Sequence, residues 1–114
     1  MKQMPGYLAA RFTGAGVPGE ALQQIESIAE HCKRTKNNKL LIDTTGYDVN
    51  VQMTNRFHLG ERLGIFARHG IKVAFVSRPE QLDMRKFGML VAQNRGVSVD
   101  AFTDFQAAEE WLLK

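Results

Sequence analysis

Five side chains able to bind or react stand at two places in this 114-residue chain where an apolar run stops. Asp43, Thr44 and Thr45 follow Leu40-Leu41-Ile42, and Ser77 and Arg78 follow Val73-Ala74-Phe75-Val76. Short continuous apolar runs suit strands buried on both faces. In open α/β sheets, ligands bind outside the carboxyl ends of such strands. A carboxylate, three hydroxyls and a guanidinium gathered there, with Thr13 at the end of a further strand, suit a small polar pocket in which Arg78 holds an anion. The same residues suit a plainer task, because Asp and Thr commonly satisfy the backbone groups of turns. Asp43 as a phosphate acceptor lacks a second acidic residue after the first strand to help hold magnesium.

Three other groups bear on chemistry. Gly14-Ala15-Gly16-Val17-Pro18-Gly19 fits G-x-G-x-x-G between an expected strand and helix, with Asp43 at the end of the next strand, as a dinucleotide site requires. Against that reading, Pro18 removes a backbone N–H that a phosphate-facing turn would use, and no second nucleotide-binding half follows. A glycine-rich turn without a cofactor is the expectation. The histidines do not converge: His58 and His69 are eleven residues apart on one helix, about 16 Å, and His31 lies on another. Cys32, the only cysteine, excludes an internal disulfide, and with no Cys or His cluster no zinc site is expected.

The elements that position these groups alternate. Tyr7–Thr13 has the two-residue period of a strand, and Gly14, Gly16 and Gly19 punctuate a turn. Pro18 opens a helix to about Arg34, whose apolar stripe is Leu22, Ile25, Ala29 and Cys32. The strand Lys39–Asp43 and an irregular Gly46–Gln52 connection lead to a helix capped by Thr54, running to about His69 with Gly70 just beyond its end. Its inward side is Phe57, Leu59, Leu63, Phe66 and Ala67. Gly60 and Gly64 inside it point to close backbone approach, with the sheet as the expected neighbour. Lys72–Ser77 is the second central strand. A helix from Asp83 to about Asn94 follows, with Met84, Phe87, Leu90 and Val91 inward. Val97–Phe102 reads as an edge strand. Thr103 and Gln106 form a capping box opening the last helix, with Phe105, Ala108, Trp111 and Leu112 buried. Strand and helix repeated four times predict one α/β domain over 1–114: a small sheet of about four mostly parallel strands flanked by about four helices.

At 44% hydrophobic and 24% charged residues, the chain can form a packed core and is not a disordered segment. The charge of +3 is mild, and the Lys and Arg are scattered along the chain, so no nucleic acid is indicated. No apolar run reaches a membrane span or a signal peptide, so no membrane insertion and a cytoplasmic setting are expected. Exposed edge strands permit a homodimer.

The segments L-I-D-T-T-G at 41–46, T-N-R-F-H-L-G-E at 54–61, G-I-K-V-A-F-V at 70–76, A-Q-N-R-G-V at 92–97 and F-T-D-F-Q-A-A-E-E-W-L at 102–112 resemble the SpoIIAA-like, or STAS-like, family of small bacterial domains. The resemblance covers roughly residues 7–113. It implies a small sheet with helices that acts by binding and not by turnover, with a kinase or a sigma-factor-type regulator as partner. In the best-known branch a serine in a D-S-x-G setting, at the start of the helix after the central strand, is phosphorylated. Here the region reads V-Q-M-T-N-R-F, so Thr54 alone offers a hydroxyl; it is a plain N-cap or a phosphorylation site. The ligand or partner surface is expected at Asp43, Thr44, Thr45, Thr54, Ser77 and Arg78, with no catalytic residue and no metal. The alternative is a small-molecule or lipid carrier with a cavity between the sheet and the Thr54–His69 helix.

Overall fold

A computed structural model describes residues 1–15, 20–48, 63–81 and 89–114. Strands β1 (Lys2–Met4), β2 (Tyr7–Ala15), β3 (Lys39–Asp48), β4 (Lys72–Val76) and β5 (Val99–Phe102) form one sheet in the order β1-β2-β3-β4-β5. Helix α1 (Glu20–Thr35) joins β2 to β3, α2 (Gly64–Arg68) precedes β4, α3 (89–94) precedes β5, and α4 (Phe105–Leu113) closes the chain. Pairs β2–β3, β3–β4 and β4–β5 are parallel, and β1–β2 is antiparallel.

Apolar pattern accounts for the layers. Leu40 and Ile42 point to one face of the sheet and Leu41 to the other, all at most 1% exposed. Val73 and Phe75 share the first face, and Ala74 and Val76 the second. Right-handed crossovers between parallel strands laid down in sequence order place successive helices on the same face. Ile25, Ile28, Ala29 and Cys32 of α1, Leu63 and Phe66 at α2, and Met89 and Ala92 of α3 accordingly join one core with Leu8, Ala10 and Phe12. Among the described elements only α4 covers the opposite face, where Ala108 and Leu112 pack on Tyr7, Leu41, Ala74 and Val76.

The structure departs from the sequence reading in several places. The sheet has five strands and is mixed: Pro5-Gly6 forms a two-residue turn, with Gly6 at φ 85°, that folds Lys2–Met4 back onto Tyr7–Ala9. β1 carries no apolar alternation, so its pairing depends on the turn. β3 does not stop at Asp43 but runs on with β2, pairing Thr13–Gly46, Gly14–Tyr47 and Ala15–Asp48. Gly14 and Gly46 therefore lie in strands and not in turns. Leu90 is 57% exposed because the inward stripe of α3 is shifted to Met89 and Ala92. Asp104, not Thr103, is the N-cap of α4, accepting from the Gln106 N–H at 3.2 Å. Phe105, at the first helical position, is 45% exposed. Gly64 lies against the end of α3, where an added Cβ would stand 3.8 Å from Arg95 Cβ, an ordinary contact. Thr54, Phe57, Gly60, Asp83, Met84 and Phe87 lie outside the described residues.

Three helices end alike. An N–H just beyond the helix bonds back five residues at Asn37→Cys32, Ile71→Phe66 and Val97→Ala92, and the residue before it is left-handed. Glycine fills that position at Gly70 and Gly96, but Lys36 does so at φ 58°. A non-glycine residue there is strained by about 1 kcal/mol. Lys36→Gly is expected to raise stability by about 0.5–1 kcal/mol in urea denaturation; a loss of stability would refute this reading of the cap.

Tyr7 supplies a pH signature. Its hydroxyl donates to Glu109 Oε2 at 2.5 Å beneath α4. Burial, then the hydrogen bond to Glu109 and the charge of that carboxylate, push the phenol up from 10.0 to about 12. Unfolded Tyr ionises near pH 10, whereas the folded group keeps its proton, so this contribution is whole below pH 10 and lost between pH 10 and about 12. The expected outcome is one phenol titrating near pH 12 by ultraviolet absorbance and absent in Tyr7→Phe. That variant should also lose less stability than wild type between pH 10 and 12.

Candidate functional site

The carboxyl-end rim of the sheet is built around an irregularity between β2 and β3. Arg11 stands opposite Asp43 and Thr13 opposite Gly46, so β3 carries one more residue than β2 across this interval, a β-bulge. Asp43 holds it: its Oδ1 accepts from the Thr45 N–H at 2.9 Å and from Thr45 Oγ1 at 2.6 Å. This is a side-chain-closed turn of the kind Asp makes readily. The other oxygen faces Arg11 Nε at 3.5 Å. Both oxygens are thus engaged, one in shaping the backbone and one in aiming Arg11.

Alternation along β3 then splits the residues expected to share a surface. Asp43 follows Leu41 onto the α4 face, whereas Thr44 follows Ile42 inward and is 1% exposed. Its Oγ1 donates to the Val76 carbonyl at 3.0 Å and lies 3.0 Å from Ser77 Oγ, leaving Ser77 as the donor of that second contact. Ser77 is fully buried, and its N–H donates to the Phe102 carbonyl at 2.8 Å. Thr44 and Ser77 therefore join β3 to β4 and β4 to β5. Arg78 is half-buried, with Nε 2.9 Å from Glu80 Oε1. The side chain of Thr13 and all of Thr54 lie outside the described residues.

Two residues that the sequence reading left out complete the rim. A groove of about 300 Å³ on the α4 face is lined by Ala9, Arg11, Leu41, Asp43 and Phe105, with Met1 and Lys2 at one end. Helix α4 has nine residues, about 13.5 Å of length, whereas the ten residues of β3 extend for roughly 33 Å. Among the described elements, one short helix cannot roof this face, and the groove is what it leaves open. A second hollow of about 420 Å³ lies on the other face, between α1 and β2, and shares Met1, Ala10 and Arg11. Arg11 was legible in principle as the polar side of the Leu8-Ala10-Phe12 alternation. Phe105 was not, because an apolar residue in a helix reads as core.

The remaining reactive groups sit apart. Cys32 is fully buried, and burial pushes its thiol up to about 11, so it stays protonated near neutral pH. Among the described residues, no three His, Cys, Asp or Glu stand together as a metal site. No helix among them is long and apolar enough to cross a membrane. In the G-x-G-x-x-G stretch, Gly14 and Ala15 are strand residues paired to β3, whereas a dinucleotide site uses its first glycine in the turn. No family model, curated protein or solved structure matches the chain.

The buried hydroxyl pair yields a prediction. Thr44→Val leaves Ser77 Oγ and the Val76 carbonyl each short of a partner and is expected to cost about 1–3 kcal/mol. Adding Ser77→Ala should then cost less than it does alone, with a coupling of about 0.5–1.5 kcal/mol in a denaturation double-mutant cycle. Strict additivity would show that the two hydroxyls do not interact.

Proposed function

We propose that this chain acts by binding, as a regulatory interaction module of the STAS or SpoIIAA-like kind working in the bacterial cytoplasm. The observation that carries the reading is the groove on the α4 face. An aromatic ring 45% exposed stands there beside an arginine whose side chain is 72% exposed and which is steered by a carboxylate. Aromatic and Arg side chains are the types that anchor protein interfaces. The polar groups nearby mainly hold one another: Asp43 holds the bulge, and Thr44 and Ser77 hold β4. The sequence resemblance suggests a kinase or a sigma-factor-type regulator as the partner, with Thr54 as the phosphate acceptor.

The test measures affinity for a kinase or sigma-factor regulator captured on the wild-type protein. Phe105→Ser and Arg11→Glu are expected to weaken binding at least tenfold while leaving the melting temperature within a few degrees. Leu90→Ser, an exposed apolar residue on α3, serves as control and should bind like wild type. Equal affinity for all four proteins would refute the groove as the partner surface.

A further inference from the structure

We infer that the opposite rim of the sheet, where the parallel strands begin, is a binding surface for the phosphodiester backbone of a nucleic acid. The topology gathers what the sequence scatters. Helix α1 delivers Lys33, Arg34, Lys36 and Lys39 to the start of β3, α2 delivers Arg68 to the start of β4, and α3 is followed by Arg95 just before β5. Backbone bonds hold these entries side by side: Lys72 N–H donates to the Asn38 carbonyl and Val73 N–H to the Ser98 carbonyl, both at 2.9 Å. No Asp or Glu occurs in 31–40, 63–76 or 89–99. Glu80 and Asp104 lie beyond the carboxyl ends of β4 and β5, whereas Glu30 stands one turn before Lys33 and Arg34 on α1, and Glu109 and Glu110 lie in the second half of α4. Cations thus outnumber acids where the parallel strands begin.

Helix dipoles account for part of this arrangement, because cations favour helix carboxyl ends. They account also for Lys72, whose ammonium meets the last turn of α4, but not for Lys39, which opens β3 opposite it in the β3–β4 register. Lys72 is tied down, donating to the Trp111 carbonyl at 2.7 Å with its ammonium 4.3 Å from the centre of the indole ring. Lys33, Arg34, Lys36 and Arg68 are exposed.

Shape selects among polyanions. Three strand entries side by side at a spacing of about 4.8 Å make a row about 10 Å long. That row spans about four phosphates of one strand measured along a duplex axis, at roughly 3.4 Å per nucleotide. The loops 33–39, 68–70 and 95–98 show no exposed apolar side chain, since Val97 is buried and the others are polar or glycine. A surface that enters lipid presents apolar residues beside its cations; this one presents charge and amides, which suits a backbone read from outside.

The experiment follows fluorescence anisotropy of a labelled 20-nucleotide oligo(dT) strand and of a 20-base-pair duplex at 50 to 200 mM salt. The proteins are the full chain, the variant Lys33→Ala/Arg34→Ala/Lys36→Ala, and a control with the same charge change elsewhere, Gln23→Glu/Ser27→Glu/Thr103→Glu. Vesicles of phosphatidylcholine and phosphatidylserine form a parallel arm. The expected result is binding of one or both oligonucleotides by wild type and control at 50 mM salt. In the alanine variant affinity should fall at least tenfold, and the slope of log K against log salt should become shallower by about 3 for the duplex and about 2 for the single strand. Melting curves of all three proteins separate this loss from unfolding. Three results would overturn the proposal: no oligonucleotide binding at 50 mM salt, an equal loss in both variants, or binding to the vesicles alone.

Discussion

Everything in this domain is built on the burial of β3 and β4 from both sides at once. A strand covered on both faces tolerates a polar side chain only where it is hydrogen-bonded, as Thr44 is, which is why Leu40-Leu41-Ile42 and Val73-Ala74-Phe75-Val76 are continuous apolar runs. It also needs a helical layer on each face. Because β2 to β5 are laid down in chain order, three crossover helices must fall on one side, leaving α4, among the described elements, to cover the other. The thick face and the thin face are thus consequences of strand order, and the groove beside Asp43 follows from the thin one.

At the rims, polar groups return and are used differently. Where β3 and β4 leave the core, most hydrogen-bonding capacity is spent within the protein: Asp43 on Thr45 and Arg11, and Thr44 on Ser77 and Val76. The edge strand β5 is treated in the same way. Gln93 Nε2 donates to the Val99 carbonyl at 2.9 Å, and the Asp100 carboxylate accepts from the Ala101 N–H at 2.8 Å, which blunts an edge open to pairing with another chain. Where the strands begin, Lys33, Arg34, Lys36 and Arg68 are instead exposed. One rim is internally knitted and presents a ring and an ion pair, whereas the other presents charge.

Legibility in the sequence followed the physics. The central strands, the stripe of α1 and the closing glycines Gly70 and Gly96 were readable because burial and a left-handed backbone each restrict residue type locally. β1 was not, since its residues bury little; its one signal was the dipeptide Pro5-Gly6. The bulge was invisible because Asp43-Thr44-Thr45-Gly46 has the composition of a turn, and only the continuation of β2 as a partner keeps it extended. Phe105 misled because helical periodicity assumes that a helix is covered along its whole length. Cations on three separate loops became a surface only through parallel pairing, which no local pattern encodes.

The most direct measurement of the central claim is native-state hydrogen exchange of the strand amides. If β3 and β4 are the doubly covered centre, the amides of Leu41, Ile42, Ala74 and Phe75 exchange only through global unfolding, with opening free energies equal to that from denaturant melting. Those of β1, at one edge, should open at much lower cost. Exchange of the β3 and β4 amides through smaller openings, at free energies like those of β1, would contradict the account.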